Sequence, residues 1–160
     1  MGRDTRQGLG LVWCAWWYRD PWFYRALLAG PGFWLGLWLS IPLHPLTVAQ
    51  MLSPTFGMLT VGQPLLEEVL FRGYLQGYCR EQPWGQRAWC GITRANMLTA
   101  LVFTAGHIWT HPLLWALAVL VPALIFGASR DRYGSIYPGL LLHVLYNAGY
   151  FGLSGLPEGV

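Results

Sequence analysis

The sequence contains no lysine, and its 10 basic and 7 acidic residues amount to only 11% of 160 positions. Soluble domains carry about 25% charged residues, so this scarcity excludes an ordinary water-soluble globule. No basic patch interleaved with polar residues is present, which excludes nucleic acid as a partner. The three cysteines, Cys14, Cys79 and Cys90, are odd in number and lack C-x-x-C spacing. Two of them lie on the arginine-rich, reducing side, so a disulfide framework is excluded and they read as small hydrophobes near the membrane.

What the chain does have is apolar surface: 54% hydrophobic and 16% aromatic residues. About 20 apolar residues cross a bilayer core. Apolar runs fall at 26–43, 55–78, 95–110, 113–129 and 135–153. The expected fold is therefore all-α, a polytopic membrane bundle of about five transmembrane helices. Its expected organisation is an interfacial segment over 1–25, one transmembrane domain over 26–153 with its motif core at 55–150, and a short tail at 154–160.

The arginines set the expected orientation. Arg3, Arg6, Arg19 and Arg25 precede the first run; Arg80, Arg87 and Arg94 fall in the middle loop; Arg130 and Arg132 fall in the last turn. The loop at 44–54, the turn at 111–112 and the tail carry no arginine. The positive-inside rule then puts the N-terminus in the cytoplasm and the C-terminus outside. The stretch "GLGLVWCAWWY" is too short to span and lacks a cleavage site. With Trp13, Trp16, Trp17, Tyr18 and Trp22 beside Arg19 it reads as an interfacial anchor.

Against this apolar background, "QPLLEEVLFRGYLQG" places Glu67, Glu68 and Arg72 inside the second span. An ionisable group at that depth costs about 2.5–3.5 kcal/mol on insertion scales and is a functional candidate by default. Glu68 and Arg72 are four apart with the acid first, so they share a helix face and can neutralise each other. Glu67 lies about 100° further round an α-helix and is expected to face elsewhere. A buried ion pair that fixes packing accounts for Glu68 and Arg72 but not for Glu67.

Two other spans carry matching polar groups. Phe103 and His107 are four apart in "FTAGH", and His143 and Asn147 are four apart in "HVLYN". At about 1.5 Å per residue, Glu67 lies roughly 20 Å from Arg80, His107 roughly 20 Å from Arg94, and His143 roughly 17 Å from Arg132. All converge on one layer nearer the outer face. A carboxylate and an imidazole can hold a water and take its proton; a second imidazole and a carboxamide can donate to an oxyanion. Such a set hydrolyses a peptide bond without a serine or cysteine nucleophile. Pro64 is expected to loosen the helix at Thr60, helped by Gly62, and Gly73, Gly77 and Gly106 are expected to let a helix approach closely.

Two other readings stand beside this one. Glu67, His107 and His143 could form a zinc site of the His₂-carboxylate kind, although HExxH is absent. The cluster could also bind a peptide without cutting it, as an immunity-type membrane protein would.

Glu67-Glu68-x-x-x-Arg72, Phe103-x-x-x-His107 and His143-x-x-x-Asn147, in this order, resemble the three motifs of the CAAX prenyl endopeptidase-like (CPBP) membrane proteases, the Ras-converting-enzyme type of glutamic intramembrane protease. The resemblance covers 55–150. It implies that Glu67 and His107 activate water, that His143 and Asn147 form the oxyanion site, and that Glu68 and Arg72 support it, with Phe103 completing the second motif. No cofactor is implied. Family members commonly have more spans than the five read here, so a partner or second copy is expected to complete the walls. The small size and the outward depth of the site favour the short bacterial branch that processes C-terminal sorting tails (myxosortase-like, JDVT-CTERM-associated). The expected setting is a bacterial inner membrane, with membrane lipids as surroundings and, as substrate, a protein bearing a hydrophobic C-terminal tail or a lipidated terminus.

Overall fold

The computed structural model describes residues 5–40 and 43–157, apart from the side chains of Leu37 and Ser40. Arg3, residues 41–42 of the first expected span and residues 158–160 of the expected tail lie outside the described residues.

Helix α1, Pro21–Ser40, begins earlier than the apolar run because of its capping chemistry. Asp20 Oδ1 accepts from the Trp22 N–H at 3.0 Å, and Pro21, which has no N–H to satisfy, takes the first helical position. Pro31 inside α1 does not end it. The helix packs on the last helix of the chain. Trp34 donates its indole N–H to Tyr146 O at 3.3 Å, and the Tyr146 hydroxyl donates to Ala26 O. A side chain at Gly149 would run into the Trp34 ring, so glycine is required there.

The loop that follows pairs with the end of the chain, His44 N–H to Leu153 O and Leu46 N–H to Gly152 O, each 3.0 Å. Helix α2 occupies 54–81 as one continuous rod, started by Ser53, whose hydroxyl accepts from Phe56 N–H, with Pro54 next to it. It winds as a π-helix over Met58–Gly62 and again over Glu68–Leu75. The first π segment lies where Gly62 and Pro64 weaken the ladder. Gln63 N–H donates to Met58 O in the i→i+5 register. In that register the carbonyl deprived of a partner by Pro64 is Leu59, one residue before the expected Thr60.

The glycines of α2 admit the N-terminal segment, where Thr5–Gly8 forms one helical turn, and not another long helix. A Cβ at Gly73 would meet Leu9 O at 3.0 Å, and one at Gly77 would meet Gly8 O at 2.7 Å. The N-terminal chain therefore docks into this stripe, beyond the interfacial role expected of 1–25. Ile136 N–H donates to Gly10 O at 3.0 Å, and Gly10 holds φ at +68°. Cys14 and Phe23 are buried with Phe126, Tyr133, Leu142 and Tyr146. Trp13 and Trp16 stay exposed, whereas Trp17 and Trp22 pack against that core. Gly106, by contrast, has open space around its Cβ position and admits no close neighbour.

The middle loop folds into a short antiparallel hairpin, β1 Ala88–Trp89 and β2 Ile92–Thr93. Cys90 and Gly91 form its turn with φ of 50° and 80°, the positive values that a tight hairpin turn needs. Thr93 then caps α3, Arg94–Ile108, by accepting from Asn96 N–H at 3.0 Å. Helix α4, Leu113–Tyr133, is the one helix among the described residues long and apolar enough to cross a membrane by length and composition alone. It ends at Gly134, φ +65°. Helix α5, Tyr137–Ser154, completes the bundle. α4 packs against both α3 and α5, and α5 against α1 and α2. The fold is a helical bundle with one small hairpin, and its longest helices lie close to the apolar runs of the sequence.

Candidate active site

The buried charges of α2 sit in the middle of this bundle. Glu68 and Arg72 are both fully buried, with Arg72 Nη1 3.6 Å from Glu68 Oε1. Arg72 Nη2 also donates to Ala123 O of α4 at 3.1 Å. Its guanidinium lies 4.5 Å from the Phe103 ring centre and 5.6 Å from that of Phe126, so aromatic faces share its charge. The expected ion pair is present, and it is knitted to two neighbouring helices.

The same oxygen, Glu68 Oε1, lies 3.0 Å from His143 Nδ1. The other imidazole nitrogen, Nε2, is 3.5 Å from Glu67 Oε2. His143 is buried and stacked on Phe126 at 4.6 Å, with Phe103 edge-on at 6.2 Å. Glu67 therefore does not face away from Glu68 as an α-helical period implies. The π turn that starts at Glu68 spreads one circuit over more residues and narrows the angle between neighbours. Both carboxylates then reach one ring from α5.

Gln63 Nε2 donates to the other Glu67 oxygen at 2.9 Å, one turn earlier on α2. His107 Nδ1 is 2.9 Å from Phe103 O. A carbonyl only accepts, so Nδ1 carries a proton and donates to it. Phe103 lies tilted against His107 with ring centres 4.6 Å apart and meets Phe71 edge-on at 5.0 Å. Asn147 Nδ2 donates to Leu59 O at 3.1 Å, the carbonyl that Pro64 leaves without a backbone partner. A break in the α2 ladder thus ties the carboxamide of α5 in place.

Glu67, His107, His143 and Asn147 all line one cavity of about 540 Å³, together with Phe103 and Gln63. Glu68 and Arg72 lie behind its wall. The remainder of the lining is largely apolar and aromatic, including Phe33 of α1 and Ile125 of α4. At one end Trp115 donates its indole N–H to the Tyr150 hydroxyl at 3.0 Å, and the His111 ring lies 4.0 Å from Trp115. Burial, and then the neighbouring His107, hold the basicity of His111 below the ordinary imidazole value. A largely apolar cavity with a few convergent polar groups is the usual form of a small-ligand site.

Among the described residues no three histidine, cysteine or acidic side chains form a group able to hold a metal ion. Both nitrogens of His143 face carboxylates, and His107 Nδ1 is committed to Phe103 O.

Gln63, Phe126, His111, Trp115 and Tyr150 are absent from the residues singled out in the sequence. Gln63 had a readable signal, four residues before Glu67. Phe126 sits on an apolar helix among other apolar residues, and nothing in its spacing marks it.

Comparison with known proteins adds one finding. A family model described as type II CAAX prenyl endopeptidase Rce1-like matches residues 49–149. Searches of curated proteins and of solved structures return no match. The matched segment includes Glu67, His107, His143 and Asn147 and spans more than half of the chain, which therefore belongs to the Rce1-like family of type II CAAX prenyl endopeptidases, membrane-embedded helical hydrolases.

Proposed function

We propose that this chain is a glutamic intramembrane endopeptidase in which Glu67 is the general base. The observation that carries the reading is that Glu67, from α2, and His143, from α5, approach to 3.5 Å in a cavity that His107 of α3 also lines. In the proposed reaction a water sits between Glu67 and His107. Glu67 takes one proton as the water oxygen attacks the peptide carbonyl carbon. His143 Nε2–H and the second N–H of Asn147 stabilise the oxyanion. The proton on Glu67 then passes to the departing amide nitrogen as the C–N bond breaks, leaving a new carboxyl terminus and a new amine.

Glu68, fixed by Arg72, orients His143 through Nδ1, as a carboxylate does for a ligating or catalytic imidazole. Gln63 holds the outer oxygen of Glu67 and leaves Oε2 toward His143. The apolar lining suits a hydrophobic segment, and we assign as substrate an exported protein with a hydrophobic C-terminal tail. The setting we assign is a bacterial inner membrane, N-terminus in the cytoplasm and C-terminus outside, with 26–153 as one membrane domain of about five spans.

Co-expression with tail-bearing exported proteins, followed by mass spectrometry of their new C-termini, tests the activity. Cysteine-accessibility probes in the 44–54 and 80–94 loops test the orientation: labelling of 44–54 from the cytoplasm overturns it.

A further inference from the structure

The bundle holds a second cavity, about 450 Å³, at the arginine-rich end of α2 and α4. Gln7, Gly8, Gly77, Arg80, Gln86 and Arg130 are among its lining residues. It is remote from the site above along α2: Arg80 is 13 residues from Glu67, roughly 20 Å of helix.

Two guanidinium groups, Arg80 and Arg130, and one carboxylate line it. Arg130 is 4% exposed, and its guanidinium donates to main-chain carbonyls, Nε to Arg72 O at 3.2 Å and Nη2 to Gly8 O at 2.8 Å. The nearby carboxylate is already shared. Asp131 Oδ1 takes Gln76 Nε2 at 2.8 Å and Arg80 Nε at 3.3 Å, and Oδ2 takes Thr93 Oγ1 at 2.6 Å. Arg80 Nη1 donates to Arg130 O at 3.2 Å, which brings a second guanidinium to the same wall. Glu81 also lines the cavity, but it is exposed. No carboxylate among the described residues forms an ion pair with Arg130. A buried cation without a counter-ion is costly and calls for a partner. Glycine at 8 and 77 keeps the floor low, and Gln7 and Gln86 add neutral amide donors.

We propose that this cavity binds a phosphate group, supplied by the headgroup of an anionic lipid in the leaflet that meets the arginine-rich end. Guanidinium groups match phosphate geometry with paired N–H donors, and basic pockets between membrane helices on the cytoplasmic side suit lipid headgroups. The bound phosphate neutralises Arg130 and, through Gly8, fixes the N-terminal chain against α2.

The test is thermal unfolding of the full chain in detergent, titrated with phosphatidylglycerol, phosphatidylcholine or inorganic phosphate. The expected result is a midpoint raised by about 4 °C or more with phosphatidylglycerol alone. Arg80→Gln, at a partly exposed position, and Gln86→Glu, at an exposed one, should each raise the lipid concentration needed for half the shift about tenfold. Gln86 is exposed, so lost folding does not obscure the reading of that variant. The same shift with inorganic phosphate, weakened by the same variants, supports the phosphate site and overturns the lipid as its source. Equal shifts with phosphatidylcholine, or shifts unchanged in both variants, overturn the site.

Discussion

His143 bridges two adjacent acids: its Nδ1 lies 3.0 Å from Glu68 and its Nε2 lies 3.5 Å from Glu67. The two contacts predict different consequences for one substitution. His143→Gln keeps a polar side chain but cannot serve both carboxylates. Cleavage should fall by about 10²–10³-fold, the usual effect of removing one oxyanion donor. Insertion and yield should change little, and quantifying the membrane-resident protein beside its product checks this. Unchanged cleavage would remove His143 from the chemistry.

The Glu68–Arg72 pair carries a stability prediction. Arg72→Ala leaves a fully buried carboxylate without its cation, and breaking one side of such a pair costs about 3–5 kcal/mol. Both yield and unfolding midpoint in detergent should drop. Arg72→Lys should not restore them fully, because a lysine cannot also reach Ala123 O and lie flat between Phe103 and Phe126. Wild-type abundance in Arg72→Ala would refute the pairing.

Asn147 and Pro64 should be coupled through Leu59 O. Asn147→Ala leaves that carbonyl unpaired, at a cost of about 1–3 kcal/mol if it stays dry. Pro64→Ala restores a backbone N–H five residues along from Leu59. The double variant should therefore recover part of the stability lost in Asn147→Ala, read as a double-mutant cycle on unfolding midpoints. Strict additivity would break the proposed link.

The motif residues were legible because helical spacing alone brings Phe103 over His107 and Glu68 beside Arg72. The convergence of Glu67 with Glu68 was not. It depends on π winding, which no periodicity reveals, although Gly62 and Pro64 marked a weak place in the ladder. The arginines were legible as charges but not as contacts: Arg130 is buried, Arg80 is paired with Asp131 and Arg132 with Asp20. Such pairing depends on which helix ends meet, and that is decided by packing. Likewise the glycine stripe of α2 announced a close approach but not that the approaching chain is the N-terminal segment.

Asp20 supplies a pH prediction outside the spans. The Arg132 guanidinium donates to it, with Trp22 N–H and the Tyr133 hydroxyl adding to the hold, and its carboxyl is lowered from 3.8 to about 2. A depressed carboxyl stabilises the fold above its unfolded pKa, and that contribution fades as pH falls through the folded value. The clasp between the start of α1 and the end of α4 should therefore loosen as pH falls from about 4 to about 2. Tryptophan fluorescence, with Trp16 and Trp22 next to Tyr133, reports it. Asp20→Asn should abolish the transition; an identical transition in that variant would assign it to another group.

The central claim is that Glu67 takes the proton of the attacking water. Glu67→Gln preserves size and the contact to Gln63 while removing the base. With a tail-bearing substrate co-expressed, mass spectrometry should show the new C-terminus with the wild-type chain and none with Glu67→Gln, at equal membrane abundance of the two proteins. The same new C-terminus appearing at the wild-type rate would contradict the account.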